Sequence, residues 1–204
     1  MTPAQPPTVL VMHPTEKRRK CTVAPLRGHP GLVFVRFQPE WAAAPASAAP
    51  HGPLSAVRAA GADCVRLGLY GPPLGDGDAH RALLLLDGTW RRAGQMERCF
   101  SRLPVRSLDP RWRTAYPRRS KVRDDPEAGL ATVEALFAAW TTLGRNTEGL
   151  LAHYHWADEF LRLNAALIDE RLGSRAGALP AGSESDRSDL GRRIPAVQDR
   201  DGDE

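Results

Sequence analysis

Leu83, Leu84, Leu85 and Leu86 run directly into Asp87, Gly88, Thr89 and Trp90. A strand of consecutive leucines presents apolar side chains to both of its faces, and such strands belong to parallel sheets covered by helices on each side. The run stops at an acid. In open α/β sheets ligands bind beyond the carboxyl ends of the strands, so Asp87, beside a turn glycine and a threonine suited to begin a helix, stands where chemistry is expected. The competing reading is structural: Asp87 and Gly88 make a turn, Thr89 caps a helix, and Trp90 is a core aromatic.

The rest of the chain alternates strand and helix signals. Residues 8–12 and 32–37 read as short strands rich in β-branched residues. Alanine and proline make 38–53 a surface excursion, and 54–60 is compatible with a short helix. Residues 64–70 alternate like a strand, 71–78 form a glycine- and proline-rich loop, 89–99 a helix and 105–108 a further strand. Leu130, Val133, Leu136, Phe137, Trp140 and Leu143 make a helical stripe ended by Gly144. Asn146 is expected to cap a last helix, reaching Leu172, that carries Leu150, Tyr154, Ala157 and Leu161 on one face. From Gly173 onward aromatics vanish and Gly, Ser, Asp and Arg dominate, so burial cannot offset chain entropy. The prediction is a single α/β domain over 8–172 with a disordered tail over 173–204.

No apolar run approaches the length of a membrane span, and the N-terminus lacks the charge-then-apolar pattern of a secretory signal, which predicts a cytoplasmic protein. Cys21, Cys64 and Cys99 are too widely spaced for a zinc site or a disulfide framework. His153 and His155 would project about 200° apart on a helix, so no metal is expected. The net charge of +4 understates the body's basicity, because 173–204 holds five arginines against seven acids. That balance favours a polyanionic partner. Arg111, Arg113, Arg118, Arg119, Lys121 and Arg123 form an acid-free basic stretch with Trp112 and Tyr116 interleaved, the combination that grips phosphates and stacks on unpaired RNA bases. A solvated basic loop has the same composition. Lys17-Arg18-Arg19-Lys20 is a second basic patch, equally compatible with a solubilising role.

A second motif, Gly129-Leu130-Ala131-Thr132-Val133-Glu134-Ala135, combines a glycine hinge with a threonine and an acid at a helix start, where outward amides can hold a carboxylate or a base edge. Glu134 could equally favour the helix dipole. Asp-Gly-Thr-Trp after a leucine strand, then Tyr116-Pro117-Arg118-Arg119, then this second motif, resembles the DTW-domain family of tRNA-uridine aminocarboxypropyltransferases. His13-Pro14-Thr15-Glu16 is similar to that family's His-Pro-x-Glu element. The family's N-terminal cysteine cluster is absent. Trp156-x-x-x-Phe160-Leu161-x-x-Asn164 and Lys20-Cys21-Thr22 are instead similar to elements of the ribosomal-RNA aminocarboxypropyltransferases of archaea and eukaryotes.

The resemblance implies a SPOUT-like parallel-sheet domain with flanking helices, related to enzymes threaded as a trefoil knot; a knot here would be an exception to the usual rule against knots. It implies S-adenosylmethionine as cofactor, bound by Asp87, Gly88, Thr89, Trp90, Leu130, Thr132 and Glu134, with Asp87 as the catalytic candidate. It places Arg118 and Arg119 against RNA or the cofactor carboxylate, and tRNA ahead of rRNA as substrate. A carboxylate beside a uridine N3 could accept its proton, a contribution of roughly 10²–10⁴-fold. The other readings are an RNA methyltransferase on the same scaffold and a non-enzymatic RNA-binding module with a decayed site.

Overall fold

The computed structural model describes residues 5–16, 21–42, 63–117 and 129–176. Strands β1 (Thr8–Met12), β2 (Leu32–Arg36), β3 (Cys64–Leu67), β4 (Ala82–Asp87) and β5 (Val105–Arg106) form one sheet in the order β2-β1-β4-β3-β5. Every pairing in it is parallel. Helices α1 (Trp90–Glu97), α2 (Thr132–Leu143) and α3 (Ala157–Ala176) flank it. This is the α/β architecture expected from the leucine run.

The alternation of side chains along the central strands explains why both faces are apolar. Leu10, Val65, Leu83 and Leu85 turn to a large core that includes Leu136, Trp140 and Phe160 of α2 and α3. Val9, Val11, Cys64 and Leu84 turn to a smaller core with Met96 of α1, Phe100 and Phe37. Burying each such leucine contributes roughly 1.5–3 kcal/mol.

Register opens the site. β1 runs beside β4 to its last residue, with Met12 opposite Asp87. β3 pairs with β4 only as far as Arg66 opposite Leu84. The chain then leaves at Gly68, which packs so closely on β5 that a Cβ there would lie 2.9 Å from Val105 Cγ1. The last residues of β4 therefore have a strand on one side and a gap on the other.

Several boundaries differ from expectation. The strand expected over 64–70 stops at Leu67, and that expected over 105–108 at Arg106. Asn146 does not start the last helix: its side chain accepts the Glu148 N–H at 2.9 Å in a local turn, Gly149 adopts φ +76°, and α3 begins only at Ala157. Leu150 and Tyr154 are buried in those turns, whereas Leu161 is exposed. α3 also continues through Gly173 to Ala176, past the point where the tail was expected. The expected helix at 54–60, the basic run at 17–20 and the chain from 177 lie outside the described residues. Among the described residues no helix is long and apolar enough to cross a membrane.

Candidate functional site

A cleft of about 690 Å³ lies at the carboxyl ends of β3 and β4, lined by Asp87, Gly88, Thr89 and Trp90 on one wall and by Leu130, Ala131 and Thr132 on another. Gly68, Leu69, Trp112 and Tyr116 are among its other lining residues. The two sequence motifs thus meet at one place. Its volume falls in the usual range for small-molecule sites.

Asp87 is the hinge of the arrangement. It is 4% exposed, its backbone oxygen accepts the His13 N–H at 2.9 Å, and its carboxylate accepts two side-chain bonds. Thr132 Oγ1 donates to Oδ1 at 2.8 Å, and the Cys21 thiol donates to Oδ2 at 3.0 Å. No described Arg, Lys or His makes an ion pair with it. Burial, followed by the neighbouring Asp87 carboxylate, pushes the Cys21 thiol up to about 12, so Cys21 stays protonated and remains a donor. Gly88 sits in close approach: a Cβ there would stand 3.3 Å from the Cβ atoms of both His13 and Arg92, so a larger residue would have to push them apart by a few tenths of an ångström.

Thr89 occupies the N-cap position of α1 but makes no side-chain capping bond, which leaves its exposed hydroxyl at the cleft. The N-cap of α2 is Ala131, which has no side-chain oxygen to accept a first-turn N–H. Thr22 supplies the missing acceptor from another segment, taking the Val133 N–H at 3.2 Å. Cys21 and Thr22 therefore hold both the β4 acid and the start of α2, a role that only the three-dimensional structure reveals. His13, at the start of the His-Pro-x-Glu turn, has its pKa lowered by burial and then by the Arg92 charge. Glu16, which lines the cleft, pairs with Arg92 at 3.3 Å.

Glu134, expected to hold the cofactor, does not line the cleft. It is fully buried, and its carboxylate accepts from Thr114 Oγ1 (2.6 Å), the N–H groups of Ala115 (2.8 Å), Tyr116 (3.2 Å) and Ala131 (2.8 Å), and Tyr154 Oη (2.9 Å). With its acceptor sites taken up by these donors, the side chain is an internal anchor for the 114–116 segment. Asn164 completes that anchoring. Its amide accepts the Arg113 N–H at 2.8 Å and donates to the Arg113 carbonyl at 2.9 Å, while Phe160 stacks on Trp112 at 6.0 Å between ring centroids.

The expected RNA-binding residues divide. Arg111 is committed to Asp109 at 2.8 Å and to Glu170 at 2.7 Å, an arrangement that raises the arginine's pKa and holds the Asp109 carboxyl down at about 2. Its charge is balanced within the protein, contrary to the expectation of a free phosphate ligand. Arg113 is held by its backbone and keeps an exposed side chain. Arg118, Arg119, Lys121 and Arg123 lie outside the described residues.

The chain matches no protein-family model and no curated protein. Among solved structures it is similar to the SAM-dependent rRNA:acp-transferase Tsr3 from Vulcanisaeta distributa. The TM-score is 0.56, with 23% sequence identity over 83% of this chain and 84% of that one. At that identity the likeness shows a shared fold.

Proposed function

We propose that this chain transfers the 3-amino-3-carboxypropyl group of S-adenosylmethionine to a uridine in RNA. The observation that carries the reading is a buried carboxylate, Asp87, on the wall of the cleft with no cationic partner among the described residues, in a fold shared with an enzyme of that reaction class. With only two side-chain donors, that carboxylate keeps unused acceptor capacity at the cleft, where a positive group such as a sulfonium would be attracted. The apolar walls at Leu69, Trp90 and Leu130 fit the adenosine part.

The cofactor would supply an alkyl group already activated by its sulfonium. The protein's part is orientation and proton handling. Thr132 and Cys21 fix the Asp87 carboxylate from two sides, and each bond uses one of its roughly four acceptor sites. The remaining capacity would let Asp87 accept the N3 proton of a uridine held at the cleft, the proton whose loss frees that nitrogen for alkylation. Leu130 and Trp90 give the cleft an apolar lining beside Asp87.

The order of the DTW-like motifs supports tRNA as substrate. Similarity to an rRNA enzyme, together with the anchoring found at Cys21, Thr22 and Asn164, supports small-subunit rRNA. The test is mass spectrometry of nucleosides from tRNA and rRNA, each incubated with the protein and S-adenosylmethionine, with Asp87→Ala alongside. The reading expects an aminocarboxypropyl adduct and methylthioadenosine with one RNA, both lost in the variant. S-adenosylhomocysteine with a methylated base would support the methyltransferase instead, and neither product on either RNA would refute transfer.

A further inference from the structure

Among the large hydrophobic residues of the described chain, Tyr70 is the most exposed, at 84%. The loop that carries it is not loose. Ser107 Oγ donates to the Gly71 carbonyl at 2.9 Å, the Ser107 N–H donates to the Pro72 carbonyl at 3.0 Å, and the Leu74 N–H donates to the Ser107 carbonyl at 2.8 Å. Gly71 has φ +140°, and a Cβ there would stand 3.1 Å from the Val105 carbonyl oxygen. Leu74 is buried, so the loop is pinned on its far side as well. A braced loop thus holds an aromatic ring out in solvent, next to Gly68 and Leu69 of the cleft wall.

We propose that Tyr70 is a stacking anchor for an unpaired RNA base adjoining the one that enters the cleft. The inference rests on the RNA-transferase reading and adds a contact outside the reacting atoms. Residues 68–78 contain no Lys or Arg and two acids, of which Asp78 is paired with Arg81 and Arg106, so a nucleic acid touching this lip would be held by the ring face and not through its phosphates. A tyrosine ring has few torsions to immobilise, and stacking tolerates any base.

The test measures KM and kcat for transfer to small-subunit rRNA and to bulk tRNA, each prepared from cells lacking this protein, with the wild type, Tyr70→Ala and Tyr70→Phe. S-adenosylmethionine affinity and thermal stability are measured in parallel. Loss of one stacked base raises the KM for RNA about 5- to 150-fold in Tyr70→Ala. Because the contact is made equally in ground and transition states, kcat changes little. Tyr70→Phe keeps KM within about twofold, and cofactor affinity and melting temperature stay at wild-type values. An unchanged KM in Tyr70→Ala, with the wild type active, overturns the anchor and leaves the transferase reading intact. A fall in cofactor affinity or stability that accounts for the KM change overturns it too. A wild type that modifies neither RNA overturns both readings.

Discussion

At the amino end of the sheet Arg145 is buried beside Trp140, and at the carboxyl end Asp87 is buried beside Thr132. Each is a charged group held by neutral partners. Arg145 donates to the Pro6 carbonyl at 3.2 Å, to Thr8 Oγ1 at 3.1 Å and to the Arg81 carbonyl, while the Trp140 indole also donates to Thr8 Oγ1 at 2.9 Å. Burial lowers the Arg145 pKa to about 10, which leaves it a cation at neutral pH. Three acceptors take its two terminal nitrogens, Nε has no partner among the described residues, and the side chain ties the first strand to the turn before the fourth without lining the cleft. Asp87 has two side-chain donors and a cleft beside it. Buried charge alone therefore does not mark a site; buried charge with spare acceptor capacity and adjoining space does. Glu134, near Asp87 in space but held by five donors, follows the pattern of the amino end.

That contrast can be broken most forcefully at Glu134. Glu134→Ala strands buried donors in the 114–116 segment, at Ala131 and at Tyr154, and is expected to lower folding stability by about 3 kcal/mol or more in a denaturant titration. Unchanged stability with lost cofactor affinity would make Glu134 a ligand after all. A smaller loss, about 1–3 kcal/mol, is expected for Arg145→Met, where removing the donor is partly offset by relief of a buried charge. Cofactor affinity per folded molecule should be unaffected, and a specific loss there would erase the distinction between the two ends.

The parts legible in the sequence are those written in side-chain periodicity. The leucine run fixes a doubly covered strand, and its acid end falls at the cleft as expected from the carboxyl-end rule. Leu69 and Tyr70 continue an apolar pattern, so the strand's early end at Leu67 was invisible; it depends on Gly68 fitting against Val105. Glu134 resembled a site residue because its partners include the backbone N–H groups of Ala115 and Tyr116, which carry no sequence signature. Arg111 looked free because one of its acids, Glu170, lies 59 positions away. A separation of 66 positions likewise hid the grip of Cys21 on Asp87.

The most direct test of the account is titration calorimetry of S-adenosylmethionine and its neutral thioether analogue, S-adenosylhomocysteine, against the wild type and Asp87→Asn. If the Asp87 carboxylate serves the sulfonium, the wild type prefers the charged ligand by at least about tenfold, and the variant, equally well folded, loses that preference while still binding the neutral one. Equal affinities for both ligands in the wild type, or a preference that survives Asp87→Asn, would contradict it.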